Sequence, residues 1–324
     1  MATVGDMRKS TIYVAVPPLG THPSNYVVRD LRRALVASGA TPIAVANTGS
    51  RYLSRMALPL PRRPHRRPII VPMMGTRFDL LFRSAVHGTP VPFIWDLWEP
   101  RWKFFVRRLR LLNLPLVVVT AKDSAEFLRG HLPGTVVECL PEATLLSRYQ
   151  RGSELASRPI DVLELGRQNP KWHRAISPAI ASDGRRHAYE STPGQLVFKD
   201  ESELISGLAA AKISVCFPSS ITHPQRSGSV TTMTHRYLES LASRCLVLGR
   251  CPPELSELFG FDPVIAVDDH DPSRQLRAIL TNIDSFQVHV DRAHTRLQSV
   301  GDWQSRVHSL LALVQKHASP SNSG

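Results

Sequence analysis

Two stretches in the second half of the sequence carry side chains that could bind a phosphate group. In residues 161–171, a largely apolar run ends at Gly166, and the cations Arg167 and Lys171 follow, four positions apart. Glycine lets a ligand approach the backbone closely, and two cations at a strand-to-helix turn could hold a diphosphate and stabilise the charge that it develops on leaving. The alternative interpretation is a pair of solvated basic side chains at an ordinary turn.

The second stretch, residues 227–239, is rich in small and hydroxyl side chains and opens a predicted helix. Backbone N–H groups and the dipole at a helix start favour an anion. Further contacts to a phosphate could come from Thr231, Thr232, Thr234 and Arg236. Glu239 follows about one turn inside the helix, where a carboxylate could accept hydrogen bonds from ribose hydroxyls. The alternative is that the threonines only cap the helix and that Glu239 faces solvent.

The first half offers two candidate general bases. Asp96 ends a predicted strand and is flanked by Trp95 and Trp98, and His22 lies in a loop of prolines and glycine after the first predicted strand. If the protein is an enzyme that inverts the configuration of its substrate, either side chain could deprotonate an acceptor hydroxyl. The alternative interpretation makes His22 an ordinary loop residue and Asp96 the cap of a helix that begins near Pro100.

The elements that must position these side chains alternate between strand and helix throughout the first half. Hydrophobic periodicity predicts strands over residues 11–16, 41–46, 69–71, 91–95, 116–120 and 135–140, and helices over 25–38, 78–86, 102–112 and 125–132. An irregular basic loop is predicted over 48–68. This alternation is typical of a parallel, doubly wound α/β sheet.

The alternation starts again after a polar stretch, residues 148–159, that is typical of a linker. Strands are predicted over 160–165, 213–217, 245–248 and 264–267, and helices over 202–211 and 234–242. We therefore expect two Rossmann-like α/β domains facing across a cleft, with ligands beyond the carboxyl ends of the strands. The expected boundaries are 1–150 and 151–300 for the two domains, 301–317 for a C-terminal helix and 318–324 for a disordered tail.

The order of these motifs resembles the nucleotide-binding half of GT-B glycosyltransferases. The chain has Gly-Arg-x-x-x-Lys at 166–171, after the first strand of its second half, and Arg-Tyr-Leu-Glu at 236–239 within a helix. It is most similar to the glycogen-synthase-like group and to the spore-maturation-type enzymes with an Arg-x-x-Glu helix. A Leu-Pro-Glu turn at 140–142 and Trp303 in a C-terminal helix add to the likeness, which covers about residues 155–310.

The resemblance implies roles for several residues. In the family, the Arg and Lys of the first motif bind the donor diphosphate, which corresponds to Arg167 and Lys171. The Glu of the helix motif, here Glu239, binds the donor ribose. Family members also bring the backbone of the first loop against the donor sugar, which implicates Gly20. Many relatives have a second Glu eight positions before the ribose Glu, where this chain has Thr231, so the donor sugar stays open.

Positive charge is concentrated in the first half of the chain. The sequence holds 40 Lys and Arg against 27 Asp and Glu, and the first 152 residues carry the whole excess of +13, with 22 basic against 9 acidic residues. This asymmetry indicates an anionic partner such as a membrane surface, nucleic acid or an acidic glycan. The predicted helix over 102–112 mixes large apolar and cationic side chains. This mixture fits an interfacial membrane helix, a nucleic-acid surface or an ordinary core-packing helix.

Other function classes lack their signatures. The sequence has no Gly-x-x-x-x-Gly-Lys or Gly-x-Gly-x-x-Gly phosphate loop, no His-Glu-x-x-His, and no Cys-x-x-Cys pair among its four cysteines. We therefore expect no metal and no cofactor besides a donor substrate.

The N-terminus has no apolar signal-like region, and no run approaches the ~20 apolar residues of a membrane span. A cytoplasmic protein in peripheral contact with an anionic membrane is the expectation.

These features together predict a glycosyltransferase that moves a sugar from a UDP- or GDP-sugar to a hydroxyl of an anionic, membrane-associated or polymeric acceptor. Three alternatives stay open at this point: a glycosyltransferase that modifies a hydroxylated base in DNA, a sugar-nucleotide epimerase, and a non-catalytic protein that binds nucleic acid or membrane. An epimerase would need further carboxylates around the sugar and has no use for a charged acceptor domain.

Overall fold

The computed structural model describes residues 12–16, 25–44, 67–75, 78–166, 168–192 and 194–318. In these ranges the strands form two separate parallel sheets. The strands are β1 (Tyr13–Val16), β2 (Thr41–Ala44), β3 (Pro68–Met74), β4 (Thr89–Trp95), β5 (Leu116–Val119), β6 (Val136–Cys139), β7 (Ile160–Glu164), β8 (His187–Ala188), β9 (Ala211–Cys216), β10 (Leu246–Gly249) and β11 (Val264–Ala266). The helices are α1 (Asn25–Ala37), α2 (Phe78–His87), α3 (Trp102–Leu112), α4 (Lys122–His131), α5 (Pro170–Ser182), α6 (Glu201–Ala209), α7 (Ser219–Thr222), α8 (Pro224–Ser227), α9 (His235–Ala242), α10 (Pro253–Phe259), α11 (Pro272–Thr281), α12 (Gln287–Val300) and α13 (Trp303–His317).

The first sheet has the strand order β2-β1-β3-β4-β5-β6, and its strands run parallel. β3, β4 and β5 are almost wholly buried because they are continuous runs of mainly apolar residues, as expected of strands with helices on both faces. Their side chains pack with apolar residues of α2, α3 and α4 into one core. The strand order reverses between β1 and β3, and ligands bind at such a reversal in open α/β sheets.

The second sheet has the strand order β11-β10-β9-β7-β8 and is also parallel. From β7 the chain goes first to β8 on one side and then to β9 on the other, so the strand order reverses at β7. Because the carboxyl ends of parallel strands meet at one edge, the loops after β7 and β9 start side by side, with Glu164 paired to Val215. Both predicted phosphate-binding stretches belong to loops that start at this edge.

The α/β class and the parallel sheets that the sequence predicts are confirmed. The hydrophobic pattern does not predict β8, α5, α10, α11 or α12. β8 has only two residues, and α5 carries Pro178 in its interior, a residue that normally ends a helix. β3 continues to Met74, beyond its predicted end at 71.

The described residues form two compact units. The first comprises residues 12–97, 101–140 and 306–318, and the second comprises residues 98–100 and 141–305. Helix α13 begins in the second unit and continues in the first.

In the ranges given above, no helix is long and apolar enough to cross a bilayer. Most of the predicted basic loop, residues 48–66, lies outside the described residues, as do residues 319–324 of the predicted tail.

Candidate functional site

The loop after β7 is shaped to open a helix. Gly166 has a φ of +72°, a left-handed conformation that glycine adopts without strain, and there is open space where a Cβ would stand. Asn169 caps α5, since its Oδ1 accepts hydrogen bonds from the backbone N–H groups of Lys171 and Trp172 at 3.2 and 3.3 Å. Lys171 is exposed on this first turn. Arg167, its predicted partner, lies outside the described residues.

A carboxylate holds the loop that leads to α9. Oε2 of Glu99 accepts hydrogen bonds from the backbone N–H of Ser229 at 2.6 Å and from its hydroxyl at 2.7 Å. These bonds lower the pKa of Glu99 below its ordinary value. Gly228 has a φ of +62°, and a Cβ there would lie 2.3 Å from the same oxygen, so a larger residue would force a shift. Sequence reasoning missed Glu99 because the 130 positions between it and Ser229 leave no local signal.

The three candidate threonines before α9 have different surroundings. Thr234 is the N-cap residue of α9, but its side chain makes no capping hydrogen bond, so the capping alternative is wrong for this side chain. Oγ1 of Thr231 lies 3.0 Å from the hydroxyl of Ser220. Thr232 is buried, and its hydroxyl has no hydrogen-bond partner among the described residues. A buried hydroxyl of this kind is available to a ligand.

Glu239 is 1% exposed, so the alternative that it faces solvent is wrong. The hydroxyl of Tyr149 donates a hydrogen bond to its Oε1 at 3.1 Å, and Nη1 of Arg236 lies 2.6 Å from its Oε2. Burial, and next the charge of Glu239, raises the pKa of Tyr149, so the phenol stays protonated and donates. Each carboxylate oxygen can accept a second hydrogen bond, so these two partners leave capacity for a ribose hydroxyl. The ribose role of Glu239 stays a prediction.

The segment that follows β6 supplies further polar groups to the start of α9. Oγ1 of Thr144 lies 3.1 Å from Nε2 of His235, and Oε2 of Glu142 lies 4.0 Å from its Nδ1. Glu142 and Thr144 are both buried. Sequence reasoning missed Tyr149 and His235 because about 90 positions separate the two halves of this network. The only signal was the Leu-Pro-Glu turn at 140–142, noted as part of the family resemblance.

Asp96 stands directly after β4 with a backbone φ of +53°. Asp adopts this left-handed conformation more readily than most residues, and strain of this kind is common at functional sites. Arg101 is the N-cap of α3, and a 3₁₀ turn that begins at Glu99 precedes it, so Asp96 is not the cap of α3 itself. Its role as a base stays a prediction. The other candidates in the first half, His22 and Gly20, lie outside the described residues.

Comparison with known proteins shows that this chain is similar to several solved structures. No protein-family model and no curated protein matches the sequence. The chain is similar to sucrose-phosphate synthase from Thermosynechococcus elongatus, with a TM-score of 0.63 and 13% identity over 95% of this chain and 99% of that one. It is similar to HepE from Anabaena in complex with UDP and glucose, with a TM-score of 0.61 and 9% identity over 95% and 100% of the two chains. It is also similar to a glycosyltransferase from Rickettsia africae, with a TM-score of 0.58 and 12% identity over 95% and 98%.

The chain has the GT-B fold. The likeness covers both compact units, so the predicted fold class is confirmed. In this GT-B chain, the strand order of the second sheet reverses at β7. The loops that start at this edge lead to Lys171 in α5, to Thr232, and to the Arg236–Glu239 pair in α9. These candidates therefore share one unit, whereas Asp96 belongs to the other. The resemblance to the spore-maturation-type subgroup stays a prediction.

Proposed function

We propose that this GT-B chain is a glycosyltransferase that uses a UDP-sugar as its donor. The observation that carries the proposal is the likeness to HepE, whose structures contain UDP, UDP-glucose, or UDP with glucose. These matches span 93–95% of this chain and 99–100% of HepE. A likeness over both units supports a two-domain transferase better than a likeness of one nucleotide-binding unit alone would.

The donor diphosphate is proposed to lie at the carboxyl edge of β7 and β9. Lys171 is exposed on the first turn of α5, and Arg167 precedes it by four positions in the sequence. The start of α9 contributes its dipole, and Thr232 contributes a hydroxyl that has no partner within the described part of the chain. Two cations and a helix start can neutralise the charge that grows on UDP as it leaves, so the proposed reaction needs no metal.

The acceptor is proposed to be an anionic molecule, such as a lipid-linked or polymeric glycan. α3 buries Phe105 and Leu109 in the core of the first unit. It turns Lys103 and Arg107 outwards, next to Phe104, which is 42% exposed. The outer face of this helix is therefore mainly cationic. Such a face suits an anionic acceptor better than it suits the apolar layer of a membrane, where the apolar side chains would have to point outwards.

The proposed base can be tested by a substitution that keeps the backbone conformation. We expect Asp96→Asn to lower sugar transfer by ~100-fold or more, because Asn tolerates a positive φ as Asp does but cannot accept the acceptor's proton. Transfer rate and unfolding temperature measure the two effects separately. Glu126→Gln, which removes an exposed carboxylate of the same unit, is the control and should keep full activity. Wild-type transfer in Asp96→Asn would rule out this base.

A thermal-shift experiment tests the donor class. UDP should stabilise the protein more than GDP does, and a concentration of 100 times Kd should add about 2.7 kcal/mol to the free energy of unfolding, which is a shift of several degrees. The shift should disappear in Arg167→Ala and persist in Lys199→Ala, which removes an exposed cation of the same unit. If no nucleoside diphosphate stabilises the wild-type protein, the proposed function fails. Release of UDP from UDP-sugars, measured next, identifies the sugar.

A further inference from the structure

A buried carboxylate and two imidazoles meet in the second unit. Glu164, the last residue of β7, is 3% exposed. Its Oε1 lies 2.8 Å from Nδ1 of His173 in α5 and 2.8 Å from Nε2 of His187 in β8. The two histidine side chains are 19% and 8% exposed. Ligating atoms of all three residues lie within 4.8 Å of one another, and the proposed donor site uses none of the three.

One carboxylate oxygen of this cluster lacks a partner. Oε1 of Glu164 lies next to both imidazoles, whereas Oε2 is buried and has no hydrogen-bond partner among the described residues. An unpaired carboxylate oxygen away from water is unfavourable, and buried polar atoms in folded proteins almost always have a partner. The geometry therefore indicates a ligand beyond the two imidazoles.

Ser177 contacts the second ring nitrogen of His173. Its hydroxyl donates to the backbone oxygen of His173 at 2.8 Å and lies 3.2 Å from Nε2. An Nε2 that donates to this hydroxyl leaves Nδ1 available as a metal ligand beside Oε1 of Glu164.

We propose that Glu164, His173 and His187 bind a divalent transition-metal ion of the zinc class. Two imidazole nitrogens and one carboxylate are a common zinc donor set, with water in the fourth position. A metal ion also uses the second carboxylate oxygen, which a proton on His173 would leave unpaired. Ser177 supplies the outer hydrogen bond that orients a ligating histidine. Tyr189 packs against both imidazoles, with ring centroids 4.7 and 4.5 Å away.

The ion has a structural role in this proposal. It joins β7, α5 and β8, three consecutive elements, at the base of the loop that opens α5. It touches no substrate, so a transfer reaction without a catalytic metal is compatible with it. The metal-site proposal can therefore be refuted without refuting the proposed glycosyltransferase activity, and the reverse also holds.

Zinc binding by the whole protein is the first test. Protein stripped with a chelator and titrated with Zn²⁺ alone should bind one ion per chain and unfold at a higher temperature. His187→Ala and Glu164→Gln should each weaken binding by at least ~100-fold, since loss of an outer-shell partner alone costs 10–100-fold. His270→Ala, which removes an exposed histidine of the same unit, should bind zinc as the wild type does. Less than one zinc per wild-type chain, or undiminished affinity in both ligand variants, overturns the site.

Cobalt spectroscopy gives a second readout. In His173→Cys, a thiolate replaces the imidazole as a ligand, so bound Co²⁺ should show a thiolate-to-metal charge-transfer band that the wild type lacks. The wild type itself should give the visible bands of four-coordinate Co²⁺. The wild-type spectrum decides the question even if a ligand variant fails to fold. Absence of these bands in the wild type refutes the site.

Discussion

Arg167→Ala combined with Lys171→Ala is expected to lower sugar transfer by about 10⁴-fold, since loss of one group that stabilises developing charge costs ~10²–10³ in kcat. Negative charge on UDP grows as the glycosidic bond breaks, so the two cations bind the transition state more tightly than the bound donor. In the proposed site both cations contact the diphosphate, so their effects should add only in part. Steady-state kinetics measures the result: kcat should fall by a larger factor than KM rises.

Lys199→Ala is the matched control for this double variant. Lys199 is an exposed cation of the same unit but lies outside the loop after β7, and its removal should leave kcat and KM unchanged. Because Lys171 is exposed, the single variant Lys171→Ala should unfold at the wild-type temperature. Unchanged transfer in the double variant contradicts the donor-site assignment. An equal loss in Lys199→Ala shows instead that overall positive charge is what the reaction needs.

Glu239→Gln is expected to weaken UDP binding by roughly 10–100-fold, because hydrogen bonds to a charged acceptor contribute about 1.5–3 kcal/mol. The specific readout is the preference for ribose. Calorimetry should show that the wild type binds UDP more tightly than its 2′-deoxy and 3′-deoxy analogues. The variant should bind all three with similar, weak affinity.

Glu239→Gln should also destabilise the fold, so a control must separate lost stability from lost UDP binding. The carboxylate of Glu239 is held by Tyr149 and Arg236, so loss of its charge should lower the unfolding temperature as well. Glu254→Gln is the matched control, since Glu254 is another buried glutamate of the same unit. It should lower the unfolding temperature and keep the preference for ribose. If Glu239→Gln keeps that preference too, Glu239 serves to hold α9 and does not bind the donor.

Local signals in the sequence predict the elements around the donor site closely. The helix predicted over 234–242 is α9, which starts one residue later with Thr234 as its N-cap. The strand predicted over 160–165 is β7, and the loop after it turns at Gly166 with a positive φ. These features follow from short-range properties: hydrophobic periodicity, and the unique freedom of glycine at a tight turn.

Local signals in the sequence do not predict the surroundings of the candidate side chains. Glu239 has the spacing of a solvent-facing helical residue as well as that of a ligand-binding one. Only the tertiary structure shows that it is buried and accepts a hydrogen bond from Tyr149. The cap of α5 is Asn169, a residue with no assigned role in the sequence, whereas Thr234 caps α9 without its side chain. Asp96 likewise carries its positive φ without any signal in the residues around it.

The sequence by itself determined that this chain alternates strands and helices in two parallel α/β units and that candidate anion-binding side chains follow two strands of the second unit. Those properties depend on residues a few positions apart, which the hydrophobic period and turn chemistry record. Only the tertiary structure decided which groups meet: Glu99 with Ser229, Tyr149 with Glu239, and Glu164 with His173 and His187. The first two pairs lie 130 and 90 positions apart. The cluster depends on the pairing of β7 with β8 and on the position of α5 beside them, which no local pattern encodes.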